Sequence, residues 1–185
     1  MVNALVLRKE LEYITAHRNE WDQSRWLSVT RATACGTVGC LAGNAVLHAG
    51  WVPATVNGAV DVTQLSAETQ LEYVSDGQHV LTVRNVARDE LGLEHWQATL
   101  LFNGSNSLLT LWIIASLLTD EIEVPQSVID DAVMPPSLTY ERMVRYFAGI
   151  VRETRDYYER IEDRVAESLE TLEMIEAFGD ADVDD

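Results

Sequence analysis

The sequence predicts a mainly α-helical fold with a minor β component: a helical globular domain with a small antiparallel β-hairpin sheet, followed by a long C-terminal helix. Three observations predict it. From about residue 139 to 178 there is no proline and one glycine, Gly149, and apolar residues recur at steps of 3 or 4. The run LLTLWIIASLL at 108–118 is apolar on every side, as a helix at the centre of a core is. Between 51 and 84, TVNGAV and YVSDGQHV set Asn-Gly and Asp-Gly pairs among β-branched residues, and these dipeptides accept the positive φ angles of tight hairpin turns.

Taken in order, residues 3–19 form a first helix, with Leu7, Leu11 and Ile14 on one face and charges on the other. Trp21, Trp26 and Leu27 follow in a short connection that folds back onto it. Residues 37–49 form a second helix, capped by Thr37 and ended by Gly50. It carries no charge, so it is buried, and its small residues Gly39, Ala42, Gly43 and Ala45 admit another backbone. The hairpins of 51–84 make one small sheet; a helix over 66–74 is the competing reading. Residues 86–102 are helical, with a cap at Asn85 and a break at Gly92, and the run 102–106 is a turn with Asn103 or Gly104 left-handed. Val124-Pro125 opens a short helix that Pro135-Pro136 ends.

The domain division that follows is 1–138 for the globular part, 139–178 for the terminal helix and 179–185 for a disordered acidic tail. The terminal helix would be roughly 60 Å long, against a radius of gyration near 16 Å for such a chain. Either it breaks near Gly149 and folds back, or its stripe is buried against another chain. The second reading is adopted, as a homo-oligomer. Its packing stripe is Tyr157, Tyr158, Ile161, Val165, Leu169 and Leu172. Arg164 and Ser168 interrupt strict heptads, which favours antiparallel packing over a long parallel coiled coil.

Composition narrows the function classes. Thirty acidic residues against thirteen basic ones give a net charge of −17, which disfavours direct binding to nucleic acid or to an anionic membrane surface. Residues 153–185 hold 13 of the acids and 3 arginines, so the acidity is concentrated at that end. The longest apolar run is about half of the roughly 20 residues that span a bilayer. With no signal-peptide pattern at 1–10 and only two cysteines, the expected setting is the cytosol, with both thiols reduced. Lys9 is the only lysine, a skew that suggests a GC-rich coding genome.

Few residues suggest chemistry. Cys35 precedes a predicted helix N-terminus, where amides and the helix dipole lower a thiol pKa, and it is the candidate reactive thiol. Cys40, among small and apolar residues, reads as core packing. The C-x₄-C spacing is loose for zinc and His48 lies two turns beyond Cys40, so neither a metal nor a cofactor is expected. Glu159, Asp163, Glu167 and Glu170 follow at helical spacing. Such a stripe can imitate backbone phosphates, but the reading adopted is the wet face of an amphipathic helix. Phosphate-loop, G-x-S-x-G and H-E-x-x-H patterns do not occur.

The segments Glu20-Trp21-Asp22-Gln23, Cys35-Gly36-Thr37-Val38-Gly39-Cys40-Leu41-Ala42-Gly43 and Leu91-Gly92-Leu93 … Leu101-Phe102-Asn103-Gly104 form a distinctive set. It resembles a group of small proteins of unknown function from actinobacteria and their phages, mycobacteriophages especially. In that group a Trp segment leads to a CGT-x-x-C-x-A-G helix and a later LGL … LF helix precedes a turn. The likeness covers roughly 4–50 and 86–118. It implies a non-structural phage product acting inside the bacterium, and transfers no chemistry. The expectation is a non-catalytic accessory protein that binds and modulates a host or phage protein. The alternatives are a thiol enzyme or small-molecule binder centred on Cys35, and a DNA mimic.

Overall fold

The structure is a computed structural model that describes residues 1–29, 37–66 and 69–179, with side chains described to residue 170. The expectations placed on Cys35, on the side chain of Leu172 and on the tail after Gly179 fall outside these described residues. The architecture is mixed α+β and dominated by helices, with two small antiparallel sheets and a long terminal helix. Among the described residues the α-helices are α1 (Ala4–Ala16), α2 (Leu41–His48), α3 (Val83–Glu90), α4 (His95–Leu101), α5 (Leu108–Leu118), α6 (Gln126–Asp130) and α7 (Tyr140–Gly179). The strands are β1 (Leu27–Val29), β2 (Thr37–Gly39), β3 (Val52–Thr55), β4 (Gly58–Ala59), β5 (Gln70–Leu71), β6 (Tyr73–Ser75) and β7 (Val80–Thr82).

Helix α5 is the centre of the core, as its all-round apolarity requires: Leu108 to Ala115 are all buried. Trp112, 2% exposed, directs its indole N–H to Thr15 Oγ1 at 3.0 Å. Around α5 pack α1, α4, α6 and the first half of α7, while α2 is wedged between α1 and α3. Helix α1 buries Leu7, Leu11 and Ile14, the expected face, and begins at Asn3, whose side chain accepts the Val6 amide.

Two expectations about helix starts are corrected. Thr37 does not cap a helix; Thr37-Val38-Gly39 pairs with Val29-Ser28-Leu27 as β2 on β1, and α2 begins only at Leu41. The β-branched pair gains a ladder there, which offsets the shorter helix. Asn85 is likewise inside α3, and the cap is Thr82, whose hydroxyl accepts the Asn85 amide. Gly92, at φ +62°, separates α3 from α4 as the break predicts. Gly104 is not left-handed; a Cβ there would stand 3.4 Å from Ser24 Cα, so the position serves close approach. The short α6 ends at Asp130, before Pro135 is reached.

The hairpin signals mark real hairpins with different loops. Thr55 pairs with Gly58, so the two turn residues are Val56 and Asn57, with Gly58 beginning β4 at φ +124°. Ser75 pairs with Val80 across a four-residue loop, where Asp76 Oδ1 accepts the amides of Gln78 and His79. These amides hold the Asp76 carboxyl down to about 2. There are two sheets, not one. The order β4-β3-β6-β7 is the expected hairpin sheet, and β2-β1-β5 is a second one built partly outside 51–84.

Helix α7 is continuous through Gly149 for 40 residues. Its first half lies on α4 and α5, burying Met143 and half-burying Val144, Phe147 and Ile150. Beyond Ile161 every described residue, 162–170, is exposed. No helix of the described residues is long and apolar enough to cross a membrane.

Candidate functional site

The three separated sequence motifs meet at one side chain. Gln23, 6% exposed, receives the Leu41 amide on Oε1 at 3.1 Å, and so caps α2, whose Cys40 N-cap position supplies no side-chain hydrogen bond. The same oxygen accepts the Trp21 indole N–H. Its amide nitrogen donates to the carbonyls of Leu101 at 3.0 Å and Asn103 at 3.3 Å, at the end of α4. Asn44 adds a parallel knot, donating to the carbonyls of Gly39 and Cys40. The glycines of the second motif admit the Trp26 backbone: a Cβ on Gly43 would stand 1.9 Å from the Trp26 carbonyl oxygen, and one on Gly39 2.8 Å. The motif therefore builds a joint among α2, α4 and the segment between α1 and β1. Its polar atoms are consumed by that joint.

Of the two thiols, only Cys40 is described. It is 2% exposed and lies 3.8 Å from the Trp26 carbonyl. Burial pushes it up to about 11 from 9.0, against the smaller opposing effect of nearby amides. A thiol so placed is core, as its neighbours predict, and it is no nucleophile at neutral pH. Its folded pKa lies above the unfolded one, so the folded state keeps the proton that the unfolded chain releases. The thiol's contribution to stability is therefore complete below about pH 9 and is lost as pH rises towards 11. Iodoacetamide labelling of the native protein at pH 8, followed by peptide mass spectrometry, should modify Cys40 about 100-fold more slowly than an unperturbed thiol. Labelling at the unperturbed rate would refute the buried assignment.

A polar cluster between α1 and α2 lies outside the sequence expectations. Glu10 is 3% exposed, and its Oε2 is 2.7 Å from His48 Nδ1. Tyr13 packs edge-on against His48 and stacked on His17, and its hydroxyl donates to the Glu20 carboxylate. The signal for it was available: Glu10 falls three residues after Leu7 and four before Ile14, on the apolar face of α1, where a charge needs a partner. The pair can orient the His48 ring and tie α1 to α2. Among the described residues no group of three or more His, Cys, Asp and Glu side chains could hold a metal ion.

A cavity of about 320 Å³ opens beside α5, α6 and the start of α7, apolar apart from Arg18, Ser107 and Asp131. The Arg18 guanidinium and Asp131 carboxylate pair at 3.0 Å on its rim. That pair is more than half exposed on the Asp131 side, so it adds little stability.

The predicted stripe of α7 divides into two faces. Tyr158 is turned inward: its hydroxyl is 3.2 Å from Thr99 Oγ1 and its ring meets His95 on α4. Ile161 is half-buried at the edge of the globule. Tyr157, Val165 and Leu169 are 53%, 52% and 55% exposed, and with Ile161 they stand at four-residue steps on one side of the helix. Glu159 pairs with Arg155 at 3.6 Å, and Asp163, Glu167 and Glu170 lie exposed beside the stripe. No protein-family model matches the chain, and no curated protein or solved structure matches it either.

Proposed function

We propose that this chain is a non-catalytic interaction protein whose distal α7 is its docking element. One observation carries the reading. Residues 162–170 project from the globule exposed on all sides, yet they continue an apolar stripe through Val165 and Leu169. Burying two such side chains is worth about 1.5–3 kcal/mol each, and their own globule does not reach them. The acidic flank of Asp163, Glu167 and Glu170 sets partner choice and association rate more than affinity. The fate of the motif residues agrees with a binding role, because Gln23, Asn44, Gly39 and Gly43 are taken up by packing. The resemblance to small actinobacterial and phage proteins supports a setting in the bacterial cytosol, where the chain modulates a host or phage protein.

The test is a footprint. Leu169→Cys and Val133→Cys variants, each in a Cys35→Ser background, are pulse-labelled with maleimide in actinobacterial lysate. Val133 is the fully exposed reference. The expected result is at least a tenfold slower reaction at 169 than at 133. Equal rates would remove the reading, since an unoccupied stripe binds nothing.

A further inference from the structure

Helix α7 carries a second asymmetry, along its axis. Residues 140–164 hold six arginines and six carboxylates, whereas residues 165–179 hold four glutamates and no basic residue. The negative end of the helix dipole lies at this same end, so each glutamate in the final turn is disfavoured by about 0.3–1 kcal/mol. A segment of some 15 residues standing away from a core is also a marginal helix in water. The distal segment therefore needs a partner that supplies apolar cover together with positive charge.

The arginines of the same helix have that charge in the wrong place, since Arg155, Arg160 and Arg164 all precede the glutamate segment. A second copy running the opposite way brings them alongside it. A parallel copy sets glutamate segment on glutamate segment. Resting on the reading of distal α7 as the docking element, we infer that the chain forms an antiparallel homodimer whose two-fold axis passes at Val165. Val165 then meets Val165 of the second copy. Ile161 lies opposite Leu169, and Arg160 lies opposite Glu170, each pair occurring twice by symmetry. All five residues are described, and Arg160, Val165, Leu169 and Glu170 are exposed and so available for these contacts. The half-buried Ile161 joins the new interface to the α7 face already packed on the globule.

Sedimentation equilibrium of the full chain at micromolar concentration is expected to give twice the 20.7 kDa of one copy. Arg160→Glu and Glu170→Arg should each weaken the dimer roughly tenfold at low salt, since each sets two like-charge contacts. The double variant should restore it, because the swap rebuilds both pairs. In a Cys35→Ser background, Ile161→Cys should form a disulfide with Leu169→Cys when the two are mixed, and not with itself. Ile161→Cys pairing with itself would overturn the antiparallel arrangement. A 20.7 kDa species with residue 169 still protected in lysate would overturn the dimer and leave the docking reading intact. A single copy with residue 169 unprotected would remove both.

Discussion

Gly43→Ala is expected to destabilise the fold by about 3 kcal/mol or more, although the change favours a helix by up to about 1 kcal/mol in isolation. The new Cβ would lie 1.9 Å from the Trp26 carbonyl oxygen and 3.1 Å from Leu27 Cδ2. The obstacle at the shorter distance is backbone, so no rotamer change can relieve it. Moving Trp26 away shifts β1, and with it the pairing of Leu27 to Gly39 and to Leu71. Urea denaturation followed by tryptophan fluorescence reads the change as a lower midpoint. The same substitution at Gly50, which has nothing within 4 Å of a built Cβ, serves as a comparison. Gly50 sits at φ +91°, so its cost is backbone strain alone, of order 1 kcal/mol. If Gly43→Ala were no worse than Gly50→Ala, the close approach of α2 and Trp26 would be wrong.

Gln23→Met, nearly isosteric, is expected to cost about 3 kcal/mol by leaving buried partners without hydrogen bonds. The Leu41 amide loses its acceptor and the Leu101 and Asn103 carbonyls lose a donor, while packing volume is kept. The effect should be local as well as global. Amide exchange at the first turn of α2 and the last turn of α4 should accelerate more than at α5, because those ends are joined only through this side chain. Uniform acceleration with no excess at Leu41 would mean that Gln23 merely fills space.

The legible parts of the fold are those whose signal is local. Periodicity placed α1, α5 and α7, because an amphipathic or wholly apolar helix writes its burial into steps of 3 and 4. Sheet pairing was less legible. Strands β1 and β2 are three residues each, too short to display alternation, and whether Thr37 would cap a helix or extend a strand depended on Leu27–Val29 lying beside it. The hairpin dipeptides located their turns but not the loop lengths, which follow from the register of Thr55 with Gly58 and of Ser75 with Val80.

For the candidate site the division is similar. An apolar stripe running past residue 161 is visible in the spacing alone, but which of two adjacent tyrosines faces the globule is not. Tyr157 and Tyr158 differ by about 100° around the helix, and the contact of Tyr158 with Thr99 and His95, about 60 positions earlier, makes the choice. The role of Gln23 was hidden for the same reason, since its partners are 18, 78 and 80 positions away.

The amino-acid sequence by itself determined the helical character, the buried centre at 108–118, the close-approach glycines and an acidic rod longer than a compact body can cover. Only the tertiary structure decided that β1 and β2 pair, that Glu10 meets His48, that three motifs converge on Gln23, and where along α7 cover ends and exposure begins. The physical reason is range. Helical periodicity and turn conformation are governed by neighbours within four residues, whereas the satisfaction of a buried polar group depends on whichever distant backbone the packing brings to it.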